Sequence, residues 1–102
     1  MSPTIATHRK ELEALCRRFS VRRLEVFGSA AAGNDRPGES DIDFLVEFGE
    51  FAPGAYADAY FGLLESLQDL FGCPVDLVVP SAIRNPYLAQ AIERSRALVY
   101  AA

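Results

Sequence analysis

The residues with the clearest chemical potential are a Gly-Ser pair and two aspartates that follow it along the chain. Gly28 and Ser29 end a segment rich in β-branched and aromatic residues, and eleven residues separate Ser29 from Asp41. A residue without Cβ permits a tight turn and lets a ligand approach the peptide groups closely. The alanines after Ser29 favour a short helix, whose first amides would attract an anion such as a phosphate.

Asp41 and Asp43 begin the next apolar segment. Because side chains alternate along a strand, both carboxylates are expected on one face, with Ile42 and Phe44 on the other. Two carboxylates so close repel each other unless a cation lies between them. Hard oxygen ligands of this kind suit Mg²⁺, which commonly takes one or two carboxylates together with substrate phosphates. The pair therefore indicates phosphoryl-transfer chemistry.

A third aspartate, Asp76, interrupts an apolar segment between Pro74 and Pro80. This segment is too short for a typical helix and is predicted to be a strand. An acid inside a buried strand is costly unless it pairs or binds a metal. If the strand lies beside the one that carries Asp43, then Asp41, Asp43 and Asp76 form a three-carboxylate cup. Two metal ions in that cup would clamp the attacking and leaving oxygens of an in-line displacement.

Hydrophobic periodicity predicts the elements that would position these residues. Apolar residues at helical spacing predict a first helix over roughly residues 4–19, whose buried stripe is Leu12, Leu15, Cys16 and Phe19. A second helical stripe covers residues 56–71. Asn85 and Pro86 fit the N-cap and the first position of a last helix. Residues 97–100 fit either a short strand or an extended tail.

These elements predict an α+β sandwich in which helices pack on one face of a small mixed sheet of three or four strands. The active site is expected at the end of the first strand. The chain of 102 residues, half of them apolar, is expected to be a single domain over residues 1–102. No apolar stretch approaches the length of a membrane span, and the N-terminus lacks the apolar core of a signal peptide. We therefore expect a cytoplasmic protein.

Composition disfavours several other classes of protein. The chain does not have the spacing of a zinc site in its two cysteines, Cys16 and Cys73, and its single histidine, His8. Catalysis through His8 is not expected, so a Ser-His-Asp site is disfavoured. Both cysteines are expected to be small core residues, and His8 is expected to be solvated. The net charge is −4, and no Lys or Arg lies between Arg36 and Arg84. Without a continuous basic stripe, nucleic acid is not an expected partner.

The Gly28-Ser29 pair, taken together with Asp41, Asp43 and Asp76, resembles the signature of the DNA polymerase β-like nucleotidyltransferase superfamily. The short chain resembles its minimal nucleotidyltransferase (MNT) branch. The resemblance implies the nucleotidyltransferase fold and transfer of AMP from ATP, with Gly28 and Ser29 holding the triphosphate. It also implies that the three aspartates hold Mg²⁺, as two ions, and that Asp76 takes the proton of the attacking hydroxyl.

The chain departs from this branch at two points. The gap between Ser29 and Asp41 is longer than in many members, and Ala32 stands before Gly33 where those members carry an arginine. A missing arginine weakens the contact with phosphate. Two alternatives follow: Arg36 supplies the charge from the next loop, or the activity is low or lost.

Small MNT proteins resemble antitoxins that silence a helical HEPN-domain RNase toxin by attaching AMP to one of its tyrosines. The resemblance implies protein AMPylation of a HEPN partner, and it leaves the formation of a homo-oligomer open. An exposed apolar patch around Tyr87, Leu98, Val99 or Tyr100 is one expectation for the docking surface, and closure of the core by these residues is the other. A second hypothesis is a non-catalytic antitoxin that neutralises its partner by binding and shielding it. Transfer to a small molecule such as an aminoglycoside is disfavoured, because 102 residues leave no room for an extra domain.

Overall fold

A computed structural model describes residues 2–33 and 41–102 of the chain. The elements in chain order are α1 (Pro3–Thr7), α2 (Arg9–Arg18), β1 (Val21–Phe27), α3 (Ser29–Ala32), β2 (Ile42–Phe48), α4 (Ala55–Phe71), β3 (Val75–Val78), a 3₁₀ helix (Pro80–Ala82), α5 (Pro86–Ser95) and β4 (Ala97–Ala101).

The strands form one mixed sheet in the order β3-β2-β1-β4. β1 pairs antiparallel with both β2 and β4, whereas β2 and β3 run parallel. This arrangement confirms the mixed sheet predicted from the sequence. Of the two alternatives for the C-terminal segment the strand is correct, because β4 pairs with β1 and buries Val99 in the core.

The larger hydrophobic core lies between the sheet and the helices α1, α2 and α4. Alternate residues of the two central strands point into it, and the helices contribute apolar side chains from the other side; the fully buried members include Leu24, Val26, Phe44, Val46, Ile5, Leu12, Leu63 and Leu67. Burying each side chain of this size contributes about 1.5–3 kcal/mol. In the predicted stripe of the first helix, Leu12 and Cys16 are buried, and Leu15 and Phe19 are partly buried against the same core.

Helix α5 lies on the opposite face of the sheet, which differs from the expectation that all helices share one face. Phe27 of β1, Leu45 of β2 and Ile92 of α5 form a second, smaller apolar cluster there. The strand positions that alternate with the main core are apolar at these places, so this face also needs a cover. Asp43 and Asp76 lie on the same face as this second cluster, because they alternate with residues of the main core.

The N-terminal helical segment is interrupted at His8, whereas the periodicity predicts one continuous helix. The amide of His8 donates to the carbonyl of Ile5 at 3.2 Å, instead of to that of Thr4. The ring Nδ1 of His8 lies 2.8 Å from the Thr4 carbonyl oxygen and takes the place of the helical amide. The imidazole is half-buried rather than solvated, and it makes an edge-to-face contact with the ring of Phe71, at 5.1 Å between ring centroids.

The two long helices on either side of the site have the ends that the sequence indicates. α4 ends at Phe71 because Gly72 adopts a φ of 65° and donates its amide to the carbonyl of Gln68 at 2.8 Å. α5 begins after Asn85, whose Oδ1 accepts the amide of Tyr87 at 2.8 Å. None of the helices in residues 2–33 and 41–102 has both the length and the apolarity to cross a membrane.

Candidate active site

Strand register brings Asp43 and Asp76 side by side. Asp43 of β2 is paired with Asp76 of β3 across the parallel pair and with Phe27 of β1 across the antiparallel pair. Paired residues on neighbouring strands, about 4.8 Å apart, point to the same side of a sheet. The two carboxyl groups therefore project together, next to the end of β1.

The pKa of Asp43 is raised from its ordinary value of 3.8 to about 6. Burial is the largest cause, followed by the hydrogen bond and then the charge of Asp76, and last by the charge of Asp41. No basic side chain of the described residues is among these causes. Without a cation, Asp43 therefore loses its proton only near pH 6, and above that pH the two neighbouring carboxylates carry negative charge that a cation would stabilise.

A sharp corner at Gly28 stands directly against this pair. Gly28 has φ 71° and ψ −147°, a conformation that is almost restricted to glycine, and it caps the short helix α3 that begins at Ser29. A Cβ added to Gly28 would lie 2.6 Å from Oδ2 of Asp43. Glycine is thus required twice here, once by the backbone angles and once by the closeness of the carboxylate.

The amide of Gly28 is not free, although the sequence predicts free N–H groups at this corner. It donates to Oγ of Ser95, the last residue of α5, at 2.9 Å. The residues that remain to contact a phosphate at the corner begin with Ser29, which is half-buried.

An open cavity of about 550 Å³ adjoins the corner and the acids. Gly28, Asp43 and Asp76 line its polar side. Its apolar wall comes from four elements, β1, α4, β3 and α5, and includes Phe27, Tyr60, Leu64, Val78, Leu88 and Ala91. A cavity of this size and mixed lining is typical of a site for a ligand of nucleotide size.

The structure places the predicted site residues in three groups. Gly28, Asp43 and Asp76 meet at the cavity. Asp41 is exposed, yet near enough for its charge to raise the pKa of Asp43, and Ser29 follows the corner directly. Arg36 lies outside the described residues, so its expected contact with phosphate stays a prediction.

The described residues contain no group of three or more His, Cys, Asp or Glu side chains arranged to hold a metal ion. The predicted cup is therefore represented by a close pair, Asp43 and Asp76, with Asp41 at its rim. The donor set nevertheless fits Mg²⁺ in its chemistry, because it is made of carboxylate oxygens. Burial, followed by the neighbouring acids, raises the pKa of Asp43, so a cation would stabilise its charged form. One or two carboxylates plus substrate phosphates is the ligand set that Mg²⁺ commonly takes.

Two functional features were missed by sequence reasoning. Tyr60 was expected only as part of a core stripe, yet it lines the cavity and donates its hydroxyl to the Leu77 carbonyl at 2.5 Å. Ser95 was not singled out. Helical spacing could have placed Tyr60 beside Leu64 on one face, but no local pattern links Ser95 to a residue 67 positions away.

A mixed sheet that presents paired acids beside a glycine corner and a short helix is the arrangement of a nucleotidyltransferase. Residues 8–99 match the family model described as "Nucleotidyltransferase domain". The chain therefore belongs to the nucleotidyltransferase family, and the class of enzyme that the sequence predicts is confirmed.

One relative, from Methanocaldococcus jannaschii, is provisionally named a protein adenylyltransferase. It is 41% identical to this chain over 92 residues. That match covers 90% of this chain and 88% of the relative. A protein of Thermococcus cleftensis named protein adenylyltransferase MntA is 38% identical over 81 residues, covering 79% of this chain and 75% of the relative.

Solved structures show the same fold. One described provisionally as a minimal nucleotidyltransferase has a TM-score of 0.73 at 33% identity and covers 95% of both chains. A second is an MNT antitoxin in complex with a tri-AMPylated HEPN toxin of Shewanella oneidensis. It has a TM-score of 0.63 at 18% identity, over 96% of this chain and 73% of that one, which shows likeness of fold.

Proposed function

We propose that this protein is a Mg²⁺-dependent adenylyltransferase that moves AMP from ATP to a hydroxyl of a partner protein, namely a tyrosine of a HEPN-domain toxin. The observation that carries the proposal is the pairing of Asp43 with Asp76 directly beside the Gly28 corner, at the polar side of a cavity of nucleotide size. We expect it to act in the cytoplasm, where ATP and such a partner are available.

In this proposal the site residues have distinct roles. Gly28 and Ser29 receive the triphosphate, with Arg36 adding positive charge in place of the arginine that Ala32 replaces. Asp41, Asp43 and Asp76 hold Mg²⁺, two ions when the site is full. When bound, Mg²⁺ neutralises charge on the phosphates and orients them for in-line attack.

Asp76 is the residue best placed to take the proton of the acceptor. It lies on the edge strand β3 and is exposed, so a hydroxyl from outside can reach it, whereas Asp43 is enclosed between two strands. In the reaction the acceptor oxygen forms a bond to the α-phosphorus of ATP. The bond from that phosphorus to the pyrophosphate oxygen breaks, the hydroxyl proton passes to Asp76, and pyrophosphate leaves.

The identity of the acceptor rests on the relatives. Two of them carry protein adenylyltransferase names, and a protein of the same fold occurs as an MNT antitoxin with an AMPylated HEPN toxin. These likenesses support a protein acceptor and, for this chain, an antitoxin role. The cavity is open, which suits an acceptor that is presented by another protein.

A non-catalytic antitoxin that acts by binding is the second candidate. Several large apolar side chains are exposed, among them Tyr87 at 80% and Phe61 at 63%, whereas Val99 of the predicted patch is buried in the core. Ala32 in place of the family's arginine also favours this alternative. In it the carboxylates serve the fold or nucleotide sensing only.

Incubation with labelled ATP and Mg²⁺ separates the two candidates. The acceptor in the assay is a HEPN-domain protein, and the variants are Asp41→Ala/Asp43→Ala and, as a matched control, Glu47→Ala. Glu47 is an exposed acid on the same strand, at the end away from the cavity. The enzyme predicts label on the partner with the native chain and the control only. Neutralisation of the toxin by the double variant, without label, would establish the binding protein instead.

A further inference from the structure

We propose that Ser95, at the C-terminal end of α5, is a positioning residue that fixes the Gly28 corner against Asp43. The inference rests on the proposed nucleotidyl transfer, and it names a residue that determines how the phosphate-binding corner is held. It starts from a contact between two residues that are 67 positions apart, Gly28 and Ser95.

The direction of the hydrogen bonds at Ser95 is fixed. Its hydroxyl donates to the carbonyl of Ala91 at 2.8 Å, one helical turn earlier. The oxygen is then left as an acceptor, and it receives the amide of Gly28 at 2.9 Å. A serine that bonds backward along its own helix is common, but here the same oxygen also satisfies the amide at the sharpest corner of the site.

The residue that follows Ser95 anchors this end of α5 to the same strand. The guanidinium of Arg96 contacts both carboxylate oxygens of Glu25, through Nε to Oε2 at 2.6 Å and Nη2 to Oε1 at 2.7 Å. The Glu25 side chain is only 3% exposed, and Arg23 contacts its Oε1 from the other side at 2.7 Å. Such forked, charge-assisted contacts hold position as well as adding energy.

These contacts make a two-point attachment of α5 to the end of β1. Glu25 is held through Arg96, and Gly28, three residues further, is held through Ser95. Helix α5 is also a wall of the cavity, through Leu88 and Ala91. One rigid unit thus places the corner, the cavity wall and the neighbouring Asp43 relative to one another.

The corner has little freedom to move without consequence. The position of an added Cβ on Gly28 lies only 2.6 Å from Oδ2 of Asp43, so a small shift of the corner changes the space between the phosphate-binding backbone and the acids. Misplacement of reacting groups by about 1 Å can cost on the order of a hundredfold in rate. The hydroxyl of Ser95 also keeps the Gly28 amide occupied, so that a phosphate is directed to Ser29 and the amides beyond it.

The test compares Ser95→Ala with the wild type and with Gln90→Ala, an exposed polar residue of the same helix as the matched control. The readouts are the affinity for a non-hydrolysable ATP analogue with Mg²⁺, kcat and KM for AMP transfer, and the thermal midpoint. Ser95→Ala is expected to weaken analogue binding and to lower kcat/KM by about tenfold or more each, while the midpoint shifts by only a few degrees. Gln90→Ala leaves all readouts unchanged.

A second pair of variants removes the dependence on folding. Ser95→Thr keeps the hydroxyl. Ser95→Val has the shape of threonine but lacks the hydroxyl. The inference predicts wild-type analogue affinity within about threefold for the threonine variant and the tenfold loss for the valine variant. It is overturned if the two bind equally, or if Ser95→Ala lowers the midpoint and leaves affinity and kcat/KM per folded molecule unchanged.

Failure of the proposed function is distinguishable from failure of this inference. If the wild type binds the analogue but transfers no AMP, the proposed transfer is wrong, and the affinities of the threonine and valine variants still decide the role of Ser95. If the wild type transfers AMP and the two variants match it, the transfer stands and the positioning role is overturned.

Discussion

At the scale of residues, the site depends on a close approach between a backbone corner and a carboxyl group. Gly28 provides the corner and Asp43 the carboxyl, and the space between them has no room for a side chain. Asp43 on β2 also lies beside Asp76 on β3. Gly28, at the end of β1, and the two aspartates therefore constrain one another's positions. Substitutions at these positions should therefore have effects much larger than their size suggests.

Gly28→Ala should abolish function, and Gly72→Ala should not. Both glycines have positive φ, 71° and 65°, but a Cβ on Gly72 meets nothing within 4 Å. Gly72 is also in the left-handed helical region, which alanine adopts at a cost of roughly 1 kcal/mol. We expect Gly28→Ala to lose about 2–3 kcal/mol of unfolding free energy and at least a hundredfold in kcat/KM. Urea denaturation and the transfer assay measure both, and equal activity of the two variants would contradict the required closeness.

Asp43→Asn should stabilise the metal-free protein at neutral pH. The folded pKa of about 6 exceeds the ordinary 3.8, so the folded state binds the proton more tightly and loses stability as pH rises from about 4 through 6. With a chelator present, the variant should be about 1–2 kcal/mol more stable than the wild type at pH 8, and equal to it below pH 4. Glu47→Gln, an exposed acid on the same strand, is the control. A variant that is less stable at pH 8 would be inconsistent with uncompensated charge.

The acids and the glycine corner were predictable from the sequence because their chemistry is local. A Gly-Ser step and an Asp-x-Asp spacing can be recognised within a few residues of sequence. The alternation of side chains along a strand then assigns Asp41 and Asp43 to one face. Ser95 was not predictable in this way. Its role depends on where α5 docks, which is decided by tertiary packing and the Glu25–Arg96 contact rather than by any local pattern.

At the scale of elements, α5 differs most from expectation. Asn85 and Pro86 correctly predict where it begins, yet its position on the second face of the sheet depends on apolar residues such as Phe27 and Leu45, which come from other segments. The interruption at His8 was also not predictable, because the imidazole takes a carbonyl that the periodicity assigns to the helix. The sequence indicates only that the site requires β3 to lie beside β2, and the structure shows the two strands paired, in parallel.

The attachment of α5 through Glu25 should be visible in the pH dependence of stability. The contacts with Arg96 and then Arg23 lower the pKa of Glu25 from 4.5 to about 2, against the opposing effect of burial. A depressed folded pKa stabilises the protein above pH 4.5, and this contribution is lost as pH falls toward 2. Glu25→Gln should therefore cost about 2 kcal/mol at pH 7, and its difference from the wild type should close between pH 4.5 and 2.

Glu93→Gln is the matched control for this prediction. Glu93 contacts the same Arg96 from the solvent side, and its side chain is 69% exposed. Exposed ion pairs contribute little, so the control should lose less than about 0.5 kcal/mol. Urea titrations at several pH values compare the two variants. A Glu25→Gln difference that does not change with pH would contradict the anchoring role of the carboxylate.

At the scale of the whole molecule, the core should shield both cysteines. Cys16 and Cys73 are buried, and burial, followed by the charge of Glu13, raises the pKa of Cys16 to about 12. Since the thiolate is the reactive form, both thiols should react with a disulfide reagent at least about a hundredfold more slowly in the folded protein than in urea. Time-resolved absorbance measures this, with Cys73→Ser leaving Cys16 as the single reporter. Rapid labelling of the native protein would show that the core opens easily.

We propose that the molecule as a whole binds ATP more tightly when its acids and the nucleotide share a cation. Without Mg²⁺, the carboxylates beside the corner repel the phosphates, so removing one charge should help binding. With Mg²⁺, the same carboxylate should hold the cation that ATP needs. Asp76→Asn should therefore have opposite effects in the two conditions.

The most direct test is a titration of ATP into the wild type and Asp76→Asn, each with excess Mg²⁺ and with a chelator. We predict that Mg²⁺ tightens ATP binding by about tenfold or more in the wild type and by less than about threefold in the variant. The variant should also bind ATP at least as well as the wild type in the chelator. Equal Mg²⁺ dependence of the two proteins would contradict a cation site built on this pair of aspartates.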